Sequence, residues 1–188
     1  KSNFAYLSKP YLAMPRILRI INRFNLGGPT YNAAYLTKYL PPEYETMLLG
    51  GMKDETEDSS QFIVENLGIT PTVLHEMHRE INIFNDASAY RKIKKIIADF
   101  KPDIVHTHAS KPGALGRWAA YQMKVPVIIH TFHGHVFHSY FNPAKTNFYK
   151  SLERKLAMVS TRIIAISEKQ KKELSMEHEI CPSEKIEV

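Results

Sequence analysis

From residue 16 onward, short apolar runs alternate with stretches of helical spacing. Arg16 to Arg23 (RILRIINR) is short and rich in β-branched residues, which predicts a buried strand. Asn25 to Pro29 is a turn by composition. A helical spacing begins at Thr30, with Ala33, Leu36 and Leu40 on one side, and Pro41-Pro42 stops it. Glu45 to Leu49 predicts a second strand closed by Gly50-Gly51, and Met52 to Ser60 an acidic, polar loop. Gln61 to Leu67 reads as a helix with Gly68 as its C-cap, and Thr72 to Leu74 as a weak third strand. Asp86 is expected to cap a helix over Ala87 to Phe100, where Ile93, Ile96, Ile97 and Phe100 make an apolar stripe. Arg91, Lys92, Lys94 and Lys95 fall largely outside that stripe and read as a solvated basic face.

The alternation continues. Ile104 to His108 predicts a fourth strand and Ala114 to Met123 a helix; Val127 to Thr131 is a fifth strand. Asn142 and Pro143 open a helix reaching about Met158. Arg162 to Ile166 is a sixth strand, Ser167-Glu168-Lys169-Gln170 a capping-box sequence, and Lys185 to Val188 a seventh strand. Strands alternating with helices imply α/β architecture: a Rossmann-like parallel sheet of about six to seven strands with helices on both faces. Residues 1–15 read as an N-terminal extension and 16–188 as one domain. The last strand closes the chain abruptly, so a C-terminal domain is expected to follow it in a longer protein.

Composition narrows the class. With 188 residues, 44% hydrophobic and 23% charged, the chain fits an ordinary globular domain with a core of its own. One cysteine, Cys181, excludes an intrachain disulfide and fits a reducing, cytoplasmic setting. The apolar runs are too short for a membrane span. The formal charge of +6 admits a solvated basic surface, or contact with an anionic membrane surface or lipid-phosphate substrate. Nucleic acid is disfavoured because no nucleic-acid motif accompanies the charge.

Ligands of open parallel sheets bind at the carboxyl ends of the strands, and three loops there are unusual. Gly27-Gly28-Pro29 lets backbone approach a ligand at a helix N-terminus, but it is not G-x-G-x-x-G, and the P-loop pattern is absent. In His106-Thr107-His108-Ala109-Ser110-Lys111-Pro112-Gly113, the two histidines are expected on opposite faces, one packed inside and the other reaching the cleft. In the third, His130, His133, His135 and His138 put four histidines into nine residues, too many for a core. Imidazoles there suit holding sugar hydroxyls or easing charge rearrangement at an anomeric carbon. Metal binding by His133, His135 and His138 is the competing reading, disfavoured because no Asp, Glu or Cys completes a familiar spacing. His75-Glu76-Met77-His78 lacks zincin spacing, there is no G-x-S-x-G, and Cys181 has no motif around it.

Taken in order, RILRIINRFNLGGPTYNAAYL, DIVHTHASKPGALGRWAA, VPVIIHTFHGHVFHSYF and RIIAISEKQKKEL resemble the N-terminal domain of family 4 glycosyltransferases of GT-B fold. The closest branch is associated with capsular, exopolysaccharide or lipopolysaccharide assembly. The resemblance implies an acceptor-side domain facing a second domain that binds the nucleotide-sugar. It further implies transfer with retention of anomeric configuration, no cofactor and no catalytic metal. It puts His133, of the pair His133-Gly134, near the donor sugar, and Gly27-Gly28 by the acceptor and the donor diphosphate. His108, Lys111 and Gly113 match its acceptor- or phosphate-side loop, and Ser167 the end of the sixth strand near the cleft. Partners would be a nucleotide-sugar and a glycan or lipid-linked acceptor, with the protein peripheral at the inner face of the membrane. A sugar-nucleotide epimerase of the same fold and a non-catalytic Rossmann-like binding domain are the alternatives.

Overall fold

The computed structural model describes residues 14–53, 56–78, 80–134 and 143–188. The elements run β1 (Arg16–Arg23), α1 (Gly28–Lys38), β2 (Glu45–Gly51), α2 (Gln61–Asn66), β3 (Thr72–Val73), α3 (Ile83–Phe100), β4 (Ile104–His108), α4 (Ser110–Gln122) and β5 (Val127–Phe132). They continue with α5 (Pro143–Val159), β6 (Arg162–Ala165), α6 (Glu168–Lys172) and β7 (Ile186–Glu187). All strand pairs are parallel and the order is β3-β2-β1-β4-β5-β6-β7. The sheet is the expected Rossmann-like one. The chain moves outward in one direction from β1 and in the other from β4, so the topological switch point lies between these two strands.

Alternation along the strands sends side chains to two differently covered faces. Leu18, Ile20, Leu49, Val105 and Ile128 pack with Ala89, Ile93 and Ile97 of α3 and with Ala119 and Ala120 of α4. Ile21, Phe24 and Leu48 pack under Ala33 and Ala34 of α1 and Ile63 and Val64 of α2. Phe132, Ile163, Ala165 and Ile186 make a third cluster with Ala157 and Leu174 at the far edge of the sheet.

Several boundaries differ from expectation, each for a local reason. The buried face of α1 is Thr30, Ala33, Ala34 and Thr37; Leu36 is exposed and Leu40 lies past the helix end. Small side chains let α1 lie close to the sheet, and this outweighs the hydrophobicity of Leu36. Helix α3 begins a turn early because Asn82, not Asp86, is its cap: Asn82 Oδ1 accepts from Phe84 N and Asn85 N, both at 3.0 Å. Asp86 closes the turn from inside the helix, accepting from Asn82 N at 3.1 Å. Helix α4 starts at Ser110 and absorbs Lys111-Pro112-Gly113, since a first turn tolerates proline. Strand β2 runs through Gly50-Gly51, β5 extends to Phe132, and β6 stops at Ala165. Gly68 does follow α2 with φ +66, and Ile69 N donates to Val64 O across it.

Candidate functional site

The carboxyl ends of β1 and β4 open at the switch point, where ligands of such sheets bind. Gly27-Gly28 leads from β1 into α1 there, and His108 ends β4 one strand away. Gly27 caps α1 without a side chain, and a Cβ on Gly28 would meet nothing within 4 Å. The turn is therefore open rather than packed, with the α1 N-terminus accessible beside it. On the other side, Ala109 takes φ 67, a left-handed conformation unusual for a residue with a side chain. That sharp turn joins His108 directly to α4.

His106 and His108 do not diverge to opposite faces. Residues two apart in a strand share a face, and their rings lie together with centroids 4.2 Å apart. Arg19 of β1 pairs in register with His106 on the same face, under α1, where Arg19 Nη1 donates to Thr37 Oγ1 at 3.2 Å. His106 Nε2 lies 2.8 Å from Thr131 Oγ1 on β5. His108 Nδ1 lies 2.8 Å from His133 Nε2, with the two rings stacked at 5.1 Å. Arg19, His106 and His108 are buried and His133 is half-buried. The row thus runs from a buried cation to an imidazole at the rim.

Burial is the main electrostatic influence along this row. It pushes the His106 imidazole down to about 3, with the Arg19 charge and then His133 adding to the effect. His108 lies well below the ordinary histidine range, through burial first and then His106, His133 and Arg19. Burial also lowers His133, and it lowers Arg19 to about 10. These histidines are neutral at physiological pH, and act as hydrogen-bonding groups rather than as cations.

A second network lies on the opposite face, beneath α4. Thr107 Oγ1 is 2.8 Å from His130 Nδ1. A Cβ on Gly113 would come within 2.6 Å of His130 Cε1, so only glycine permits this approach of α4 to the sheet. Arg117 Nε donates to the Gly113 carbonyl at 2.8 Å, and Arg117 Nη2 meets Glu153 of α5 at 2.6 Å with both side chains buried. His130 is fully buried and held well below its ordinary range by burial, with Arg117 second.

The remaining predicted site residues have structural engagements. Lys111 donates to the carbonyls of His78 and Glu80 and pairs with Asp86, tying α4 to the start of α3. Gly113 is buried against His130 rather than open to a ligand. Ser167 caps α6, its hydroxyl accepting from Gln170 N at 3.2 Å. Gly134, with φ +136, is held by its carbonyl, which accepts from Gln170 Nε2 at 2.8 Å. His135, His138 and Asn142 lie outside the described residues. Among the described residues no group of three or more His, Cys, Asp or Glu side chains is arranged to hold a metal. Arg19, Arg117 and Glu153 are not singled out by the sequence, and Gln170 only as part of a capping box; an arginine inside an apolar strand is the one available signal. An open groove of about 420 Å³, lined by Arg154, Met158, Cys181 and Pro182 among others, lies by the β6–β7 end of the sheet, away from the switch point.

The fold and the open switch-point crevice define one Rossmann-like half of a GT-B protein. Residues 26–188 match the family described as Glycosyltransferase Family 4, and the chain belongs to that family. It is 38% identical over 106 residues to the UDP-Gal:alpha-D-GlcNAc-diphosphoundecaprenol alpha-1,3-galactosyltransferase of Escherichia coli, a match covering 56% of this chain and 26% of that protein. The fold resembles a glycosyltransferase from Rickettsia africae, with TM-score 0.65 and 20% identity, over 93% of this chain and 42% of that one. It also resembles the UDP-GlcNAc 2-epimerase of Neisseria meningitidis bound to UDP-GlcNAc, with TM-score 0.66 and 17% identity, over 92% and 46%. The chain therefore spans about a quarter of the curated relative's length and less than half of either structure's. No helix among the described residues is long and apolar enough to cross a membrane.

Proposed function

We propose that this chain is the acceptor-side domain of a retaining glycosyltransferase. The complete protein would move a sugar from a nucleotide-sugar to a glycan or lipid-linked acceptor in cell-surface polysaccharide synthesis, peripheral at the inner face of the membrane. The observation that carries this reading is the neutral His133 held by His108 at the open switch point, in a chain of family 4. The second domain would bring the nucleotide-sugar over this crevice and supply donors to the leaving diphosphate, fixed dipoles of the kind that dominate many active sites. The acceptor would lie across Gly27-Gly28, beside the α1 N-terminus. His133 would hold the transferred sugar and stabilise an oxocarbenium-like transition state through its hydrogen bond. Gly134 and Ser167 would shape the loops around the crevice, and Lys111 and Gly113 would fix the first turn of α4 beside it. No cofactor or metal has a role in this scheme, and the domain alone would transfer nothing.

The likeness in fold to a UDP-GlcNAc 2-epimerase supports a second reading, in which the complete protein epimerises a sugar nucleotide. One assay separates them. The complete protein is incubated with a panel of nucleotide-sugars and a lipid-linked sugar acceptor. The transferase reading expects glycosylated acceptor with the anomeric configuration retained. An epimerised sugar nucleotide with unchanged acceptor would overturn it.

A further inference from the structure

The row of histidines bears on which nitrogen of His133 carries its proton. Two neutral rings meet through His108 Nδ1 and His133 Nε2 at 2.8 Å, so a single proton lies between them. If His133 donates, His108 must carry its own proton on Nε2. If His108 donates, its Nε2 is a bare lone pair and the His133 proton sits on Nδ1. The His108 ring is fully buried, and its Nε2 has no hydrogen-bond partner among the described residues. A buried N–H with nothing to accept it is rarer than an under-satisfied acceptor. Burial first, then His106, His133 and Arg19, keeps the His108 ring neutral, so it carries one proton and not two. Among the described residues, the His106 ring and the hydroxyls of Thr37 and Thr131 also contact the row, and none of these is anionic. Turning the His108 ring over would set a carbon against His133 Nε2 and lose the bond.

We propose that His108 is a positioning residue: its Nδ1–H donates to His133 Nε2, locks His133 as the Nδ1–H tautomer, and so presents a hydrogen-bond donor to the crevice. The ligand atom facing His133 is then an acceptor, such as a sugar hydroxyl or a phosphate oxygen. The consequence for turnover rests on the transferase reading; the tautomer itself does not.

The test is nitrogen-15 NMR of the complete protein labelled at histidine, with the His133 signals assigned by their loss in His133→Gln. The expected spectrum has His133 Nδ1 protonated and Nε2 unprotonated. In His108→Asn the amide nitrogen takes the place of Nδ1 and still donates, so that pattern should persist. In His108→Asp only an acceptor is offered, and the proton of His133 should move to Nε2. Transfer should follow the tautomer: near wild-type rates for His108→Asn, and a loss of roughly 10–100-fold in kcat for His108→Asp with little change in donor KM. Thermal melts identify any variant that fails to fold, and the near-isosteric asparagine keeps the wild-type comparison available. Wild-type His133 protonated at Nε2, or a tautomer indifferent to His108→Asp, would overturn the proposal. An absence of transfer with any donor, alongside the expected spectra, would count against the transferase reading and leave the tautomer assignment standing.

Discussion

Arg19 and His106 face each other in register across β1 and β4, both buried, and among the described residues no carboxylate pairs with the arginine. A buried cation beside a row of imidazoles is costly unless those imidazoles stay neutral. Burial first, with the Arg19 charge adding to it, lowers the pKa values of His106 and His108.

The pH dependence of stability follows in sign. A histidine with a depressed folded-state pKa contributes full stability above its ordinary value of 6.5, and loses it as pH falls toward the folded value, about 3 for His106. In that window the unfolded chain binds the additional protons, at about 1.4 kcal/mol per pH unit for each such histidine. Acid unfolding followed by circular dichroism should therefore set in well above the carboxylate range. Arg19→Met removes the charge that adds to the depression, so its acid midpoint should move to lower pH without loss of stability at neutral pH. An unmoved or higher midpoint would contradict this.

Arg117 and Glu153 tie α4 to α5 with both side chains buried. Removing one partner leaves the other charge uncompensated, so Glu153→Ala should cost about 3–5 kcal/mol in urea unfolding. The double variant Arg117→Met/Glu153→Leu should recover most of that loss, because an apolar pair needs no counter-charge. Equal losses for the single and double variants would show that packing, not the uncompensated charge, sets the cost.

Gln170 is buried, receiving Ile166 N at 2.9 Å and donating to the Gly134 carbonyl at 2.8 Å. It joins the β6–α6 turn to the loop that carries His133. Gln170→Ala should cost about 1–3 kcal/mol through the buried groups left unpaired. In the complete protein it should also raise the substrate KM more than it lowers kcat, since the loop loosens while His133 keeps its bond to His108. A kcat loss as large as that of a His133 variant would contradict this division of roles.

Much of this site was legible in the chain. β-branched runs, one leading to Gly27-Gly28 and two running into histidines, marked β1, β4 and β5, because strand burial leaves a direct imprint on residue type. Strand order left no such imprint. That β1 and β4 are neighbours, and hence that Arg19 lies against His106, is decided by tertiary packing. The start of α4 was hidden by Lys111-Pro112-Gly113, which has loop composition but packs as a first turn because Gly113 closes on His130. Gln170 resembled a capping-box partner, and its contact with Gly134 depends on a residue 36 positions away.

In the proposed transferase the complete protein moves sugar through a crevice in which His133 holds the donor sugar. That role is tested by kcat for transfer from the preferred nucleotide-sugar, at saturating substrates, in wild type and in a folded His133→Ala variant. Removing a preorganised donor at the reaction centre should lower kcat by about 100-fold or more. An unchanged kcat would contradict the claim.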